Sequence, residues 1–131
     1  MKREAINIVW LKRDIRSQDH EPLLKAEQAG LPYRIIYLFE PSLITYPDTS
    51  PRHLQFIYHS IVALNKTLEP FNRNVDVFYG EAPDVFEYLK EIFDIKNVFS
   101  FRESGTKSTW QRDKKITAFC KQHRIIWQES Q

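Results

Sequence analysis

Five short runs rich in β-branched and aromatic residues recur along the 131-residue chain, with a stretch long enough for an amphipathic helix between each and the next. Parallel strands need long crossovers rather than tight turns, so this alternation implies right-handed βαβ units and a parallel sheet covered on both faces. The expected fold is α/β: a three-layer, Rossmann-like, doubly wound five-stranded parallel sheet with strand order 3-2-1-4-5.

Strands are expected over residues 5–11, 33–39, 75–79, 97–101 and 124–127. Asp19 reads as the N-cap of a first helix that runs to about Ala29 and is closed by Gly30. Ser50-Pro51 starts the second helix, which reaches about Glu69 because Leu54, Ile57, Tyr58, Ile61, Leu64 and Leu68 recur at helical spacing. Pro83 opens a third, with Val85, Phe86, Leu89 and Phe93 as its buried stripe, and the last covers residues 108–123. The longest irregular piece, residues 40–49, leaves the second strand at its carboxyl end.

Eighteen aromatic residues against three glycines supply enough buriable surface for one compact domain over residues 1–131. A formal charge of +2 creates no global field toward nucleic acid or a membrane. The single Cys120 rules out an internal disulfide and a multi-thiolate metal site, and reads as a small buried apolar residue. The apolar run after Met1 is too short for a signal peptide or a membrane span, so the expected compartment is the cytoplasm.

The first strand runs straight from Ile8-Val9-Trp10-Leu11 into Lys12-Arg13-Asp14-Ile15-Arg16. Open α/β sheets bind ligands beyond the carboxyl ends of their strands, which is where these charges lie. A dinucleotide site needs glycines there, and a phosphoacceptor receiver needs a carboxylate ending strand three, where Tyr79-Gly80 stands. Both are excluded. His20, His53, His59 and His123 show no metal-ligand spacing with Cys120, and no serine sits in a nucleophile elbow. Neither a catalytic residue nor a metal site is expected, and each histidine reads as a cap or a solvent-facing residue.

Topology gathers Arg13 and Asp14 from strand one, Tyr37, Phe39 and Glu40 from strand two, and Arg102 and Glu103 from strand four, with Arg52 on the same side. Acids, arginines and aromatic walls suit a planar polar heterocycle, whose ring N–H groups bond to carboxylates. Structural roles are expected beside these. Asp14 is expected to pair with Arg13, Arg16 or Arg112, while Trp10, Trp110 and Trp127 pack in the core. Acids interleaved among Lys12, Arg13, Arg16 and Arg52 argue against direct DNA binding.

Val9-Trp10-Leu11-Lys12-Arg13-Asp14-Ile15-Arg16, followed by Asp19-His20 and Leu23-Leu24, resembles the opening signature of the DNA photolyase and cryptochrome family. Tyr37-Leu38-Phe39-Glu40-Pro41, Ser50-Pro51-Arg52-His53-Leu54-Gln55-Phe56, Gly80-Glu81-Ala82-Pro83, Glu103-Ser104-Gly105 and Trp110-Gln111-Arg112-Asp113 are similar to later family segments. The sequence departs from the pattern at Lys12 for arginine, His20 for asparagine and Tyr37 for phenylalanine.

The resemblance covers the whole chain but only the amino-terminal α/β domain of the family, with the FAD-binding helical domain absent. It implies one wall of a cleft for an antenna chromophore: a deazaflavin, a folate or a flavin. Arg13 and Asp14 would contact the antenna, Tyr37 would supply an aromatic face, Glu40 and Glu103 would accept ring hydrogen bonds, and Arg52 would lie along the chromophore. The parent protein would be a deoxyribodipyrimidine photo-lyase or a blue-light receptor. Its partners would be the helical FAD domain of the same chain and, through the full-length protein only, damaged DNA, with no membrane.

Alone, the chain is expected to be non-catalytic and to bind an antenna weakly or not at all, since half the cleft lies elsewhere. An uncovered apolar face would favour self-association. The competing class is a stand-alone nucleotide-binding or protein-interaction α/β module without photochemistry. A reading frame that continues into a helical, tryptophan-rich region separates the two.

Overall fold

The computed structural model describes residues 2–44, 50–103 and 107–131. Strands β1 (Glu4–Leu11), β2 (Tyr33–Phe39), β3 (Val75–Tyr79), β4 (Phe93–Phe101) and β5 (Ile126–Ser130) form one all-parallel sheet in the order β3-β2-β1-β4-β5. Helices α1 (Glu21–Gln28) and α3 (Pro51–Leu68) pack on one face, while α4 (Ala82–Ile92) and α5 (Lys107–Gln122) pack on the other. A single turn, α2 (Pro41–Ile44), follows β2. This is the doubly wound architecture that the alternation predicts.

Strand alternation divides the core in two. Ile6, Ile8 and Trp10 of β1 join Phe86, Leu89, Ile116 and Phe119 beneath α4 and α5, whereas Val9 and Leu11 join Ala26, Ile61 and Leu64 beneath α1 and α3. A central strand buried on both faces reads as a continuous apolar run, which is why β1 was legible. Where β1 meets β4, the register slips between Ile6 and Asn7. The Asn7 carboxamide oxygen fills the irregularity, accepting from the backbone N–H of Asn97 at 3.1 Å and from its side-chain amide at 3.0 Å.

Several local expectations need correction. Asp19 does not cap α1: it takes a left-handed φ of 50°, and the extended His20 is the N-cap, with Nδ1 accepting from the Leu23 N–H at 3.1 Å. Phe93 belongs to β4, paired with Glu4, because α4 ends at Ile92 and the chain turns extended at once. The fifth strand is Ile126–Ser130, later than residues 124–127. Arg124 adopts φ 59°, and the N–H groups of Ile125 and Arg124 bond back to the carbonyls of Cys120 and Lys121. That is a Schellman closure of α5, with Arg124 in the left-handed position usually taken by glycine, and it delays the strand.

Trp110 is not in the core; it is 59% exposed, outside the inward stripe of Thr109, Ile116, Phe119 and Cys120, with the Lys114 ammonium 4.4 Å from its ring centre. Trp10 is fully buried and Trp127 partly so, 5.8 Å apart between ring centres. Residues 45–49, in the expected irregular piece, and Ser104-Gly105 of the family pattern lie outside the described residues.

His20 also donates from Nε2 to Asp14, so its Nδ1 is free of a proton and the ring is held as the neutral Nε2–H tautomer. Asp14 is therefore engaged by His20 and the Lys12 N–H, not by Arg13, Arg16 or Arg112 as expected. Burial opposes its ionisation, yet these hydrogen bonds prevail and hold the carboxyl below its ordinary range. His20→Ala should cost about 2–3 kcal/mol, from a lost cap and a buried carboxylate left half-satisfied. His20→Asn restores a cap acceptor and should recover about 1 kcal/mol. Urea denaturation of the three proteins measures both, and a loss below about 0.5 kcal/mol for His20→Ala would remove His20 from this role.

Candidate functional site

A concavity of about 770 Å3 lies over the carboxyl ends of β1 and β2. That volume is within the range of small-molecule sites. Leu11 and Tyr37 form the floor on the α3 side, Trp10 and Arg112 approach from the α5 side, and His53, Phe56, Ile57 and Ser60 of α3 form a wall. The wall exists because Ser50 caps α3 by accepting from the His53 N–H at 3.1 Å, which fixes where its first turn begins. The α2 turn is clamped from the far side of the sheet by Glu81, which accepts from the Ser42 N–H at 2.9 Å and hydroxyl at 2.8 Å.

Four of the six residues expected at the site line this cavity: Arg13, Tyr37, Glu40 and Glu103. Asp14 does not; its carboxylate turns to His20, behind the strand end. Arg52 is exposed on the outer side of α3 and does not line the cavity, because inward positions in that turn fall to His53, Leu54, Phe56 and Ile57.

The residue that sequence reasoning placed outside the ligand site, Arg112, is the hub of its polar end. Its guanidinium donates from Nη1 to Glu40 Oε2 at 2.9 Å, from Nη2 to Glu103 Oε1 at 2.5 Å and from Nε to Asp113 Oδ1 at 3.0 Å. It also lies 5.0 Å from the centre of the Trp10 ring. The signal for such a hub was the pair of acids itself: two buried carboxylates at strand ends require a cation from another element.

Lys12 extends the network. Its Nζ is buried 3.8 Å from Asp113 Oδ1, with ring centres of Trp10 at 4.4 Å and Trp127 at 5.2 Å. Burial lowers its pKa, against the pull of Asp113.

Electrostatics at the polar end are set by burial. Glu40 is only 4% exposed, and loss of water pushes its carboxyl up to about 7 despite Arg112, with Glu103 adding repulsion. Its Oε1 has no hydrogen-bond partner among the described residues. The Tyr37 phenol is pushed up to about 12, first by burial and then by Glu103 and Glu40, so it stays a neutral donor. Its ring meets Phe39 edge-on at 5.0 Å. The site thus gathers carboxyl groups and a phenol in an aromatic and aliphatic surround, the donor and acceptor set that a flat heterocycle with ring N–H groups fits. Among the described residues no group of histidine, cysteine and acidic side chains is arranged to hold a metal ion, and no helix is long and apolar enough to cross a membrane.

Residues 7–131 match the family model described as DNA photolyase. The chain belongs to the DNA photolyase family. Relatives include cryptochrome DASH of Synechocystis sp., 26% identical over 101 residues that cover 73% of this chain and 21% of the relative. Blue-light photoreceptor PHR2 of Arabidopsis thaliana is 28% identical over 108 residues, covering 79% of this chain and 24% of the relative.

Among solved structures, the Synechocystis sp. cryptochrome superposes with a TM-score of 0.87 at 21% identity, over 97% of this chain and 27% of that one. The archaeal photolyase from Sulfolobus tokodaii, solved with two FAD molecules, gives 0.84 at 23% identity over 96% and 29%. The chain therefore spans about a quarter or less of the curated relatives described here. The structural likenesses establish the shared sheet order and helix placement of the family's α/β domain.

Proposed function

We propose that this chain is the antenna-chromophore-binding α/β domain of a photolyase- or cryptochrome-like flavoprotein, and that it is not catalytic by itself. The observation that carries the reading is the cavity of about 770 Å3 whose inner end is lined by Tyr37, Glu40 and Glu103, with Glu40 Oε1 buried there and unpartnered among the described residues. An orphaned buried acceptor is costly unless a ligand donor or water meets it, and a deazaflavin, flavin or folate ring carries such a donor. The archaeal photolyase that shares this fold holds two FAD molecules, which favours a flavin as the antenna. Such a chromophore absorbs light and passes the excitation to FAD. This chain's own residues bind and orient it: Glu40 and Glu103 accept from the ring edge, Tyr37 donates, and Arg112 holds both carboxylates in place. Arg13 stands at the mouth.

In this reading the partner is a helical FAD domain of the same parent chain, and damaged DNA or a signalling partner is met only through that larger protein. Asp14 supports the strand end rather than touching the chromophore, and Arg52, exposed on α3, lies outside the cavity. The chain alone should bind riboflavin, a 5-deazaflavin or a reduced folate weakly, with about 4–8 kcal/mol of binding free energy, because one wall is supplied elsewhere. Fluorescence titration checks this together with Ser60→Trp, which puts an indole into the cavity from α3. The substitution should weaken whichever chromophore binds by about tenfold or more. Equal affinity for the blocked variant would place the chromophore elsewhere and favour a module without photochemistry.

A further inference from the structure

The cavity adjoins a shallower recess of about 300 Å3 at the ends of β1 and β4, and the two share Lys12, Arg13, Arg16 and Glu103. The two differ in polarity. The inner end is an acceptor end, built on Glu40 and Glu103. At the rim the acid of the recess, Asp14, is already engaged, accepting from His20 and the Lys12 N–H.

The arginines of the rim are engaged far less. Arg13 reaches Glu103 only through Nε at 3.4 Å, and its side chain is 77% exposed. Arg16 is steered into place by the carbonyls of Gln18 and Asp19, at 3.2 Å and 3.3 Å, with its guanidinium carbon 5.5 Å from the centre of the Phe101 ring. Arg102 lines the recess and is exposed. Three arginines thus line the recess that adjoins the cavity, and guanidinium is the side chain best matched to bidentate oxyanions.

We infer that this rim binds an anionic tail, so that the site selects a chromophore carrying a phosphate or carboxylate tail over one with the same ring and a neutral tail. The inference rests on the cavity holding the ring, as proposed above. It makes Arg13 and Arg16 specificity-determining residues, and it orients the ligand with the ring's donor edge inward and the charge outward.

Two matched pairs of probes test it on the whole chain: FMN against riboflavin, which differ by one phosphate, and pteroyltriglutamate against pteroamide, the uncharged amide that lacks every tail carboxylate. At low salt, at least one tailed probe should bind about tenfold more tightly than its neutral-tailed partner. That preference should shrink as salt rises, because the rim is exposed. In Arg13→Gln/Arg16→Gln, two exposed positions whose change leaves the core intact, the ratio should fall to about one. Discrimination in the FMN pair alone assigns a phosphate tail, and discrimination in the folate pair alone assigns a carboxylate tail. Equal binding within both pairs by the unsubstituted chain overturns the anionic-tail assignment and leaves the antenna reading standing. Failure of all four probes to bind overturns both.

Discussion

Arg112→Met should destabilise the protein by about 3–5 kcal/mol at pH 8, the cost of leaving buried carboxylates without their cation. Arg112 touches Glu40, Glu103 and Asp113 with its three guanidinium nitrogens, and the side chains of Arg112 and Glu40 are 9% and 4% exposed. Methionine keeps most of the volume against Trp10, so packing loss is a minor part and charge loss is the major one. The carboxylates left behind would take up protons, which makes the deficit pH-dependent. It should be largest above pH 7 and shrink in acid. Urea denaturation at pH 8 and pH 5 reads both effects, and a loss below about 1 kcal/mol at pH 8 would mean that the network is dispensable.

Much of the fold was legible because its signals are periodic or local. β2 and β3 begin and end where expected, since Pro32 and Gly80 bound apolar runs that carry no competing helical pattern. The start of α3 was marked by Ser50-Pro51, a cap and a first-turn proline with one physical meaning. Boundaries moved where two elements abut without a linker. Phe93 satisfies the helical spacing of α4 and the strand pairing of β4 equally well, and only hydrogen bonding with β1 decides between them.

The site was less legible for a different reason. Placing residues at strand ends brought Arg13, Tyr37, Glu40 and Glu103 to one cavity, but it gives no direction for a side chain that leaves the strand. Asp14 turned to His20 because a left-handed Asp19 handed the cap to the next residue, a backbone event with no pattern in the sequence. Arg112 lies 72 residues from Glu40, and a contact of that kind appears only once the sheet order is fixed.

Glu40 is where the network's charge imbalance should be measurable. Glu40, Glu103 and Asp113 share the buried Arg112 and Lys12, and of these carboxylates Glu40 keeps an oxygen unpartnered among the described residues. Its carboxyl titrates at about 7 in the folded chain against an ordinary 4.5. Between those values the unfolded chain has released a proton that the folded chain retains, so stability should fall as pH rises through this window and level off above 7. The shift corresponds to about 3 kcal/mol. Glu40→Gln keeps the shape and an acceptor for Arg112 while removing the ionisation. The variant should match the parent below about pH 4.5 and exceed its stability by up to about 3 kcal/mol at pH 8. Denaturant titrations across pH 4–8 decide the matter. Parallel curves for the two proteins would show that Glu40 titrates in the folded chain at its ordinary value and that Arg112 fully compensates its burial, in which case the cavity's inner end is an anion at neutral pH rather than a carboxyl that a ligand's donor can help to ionise.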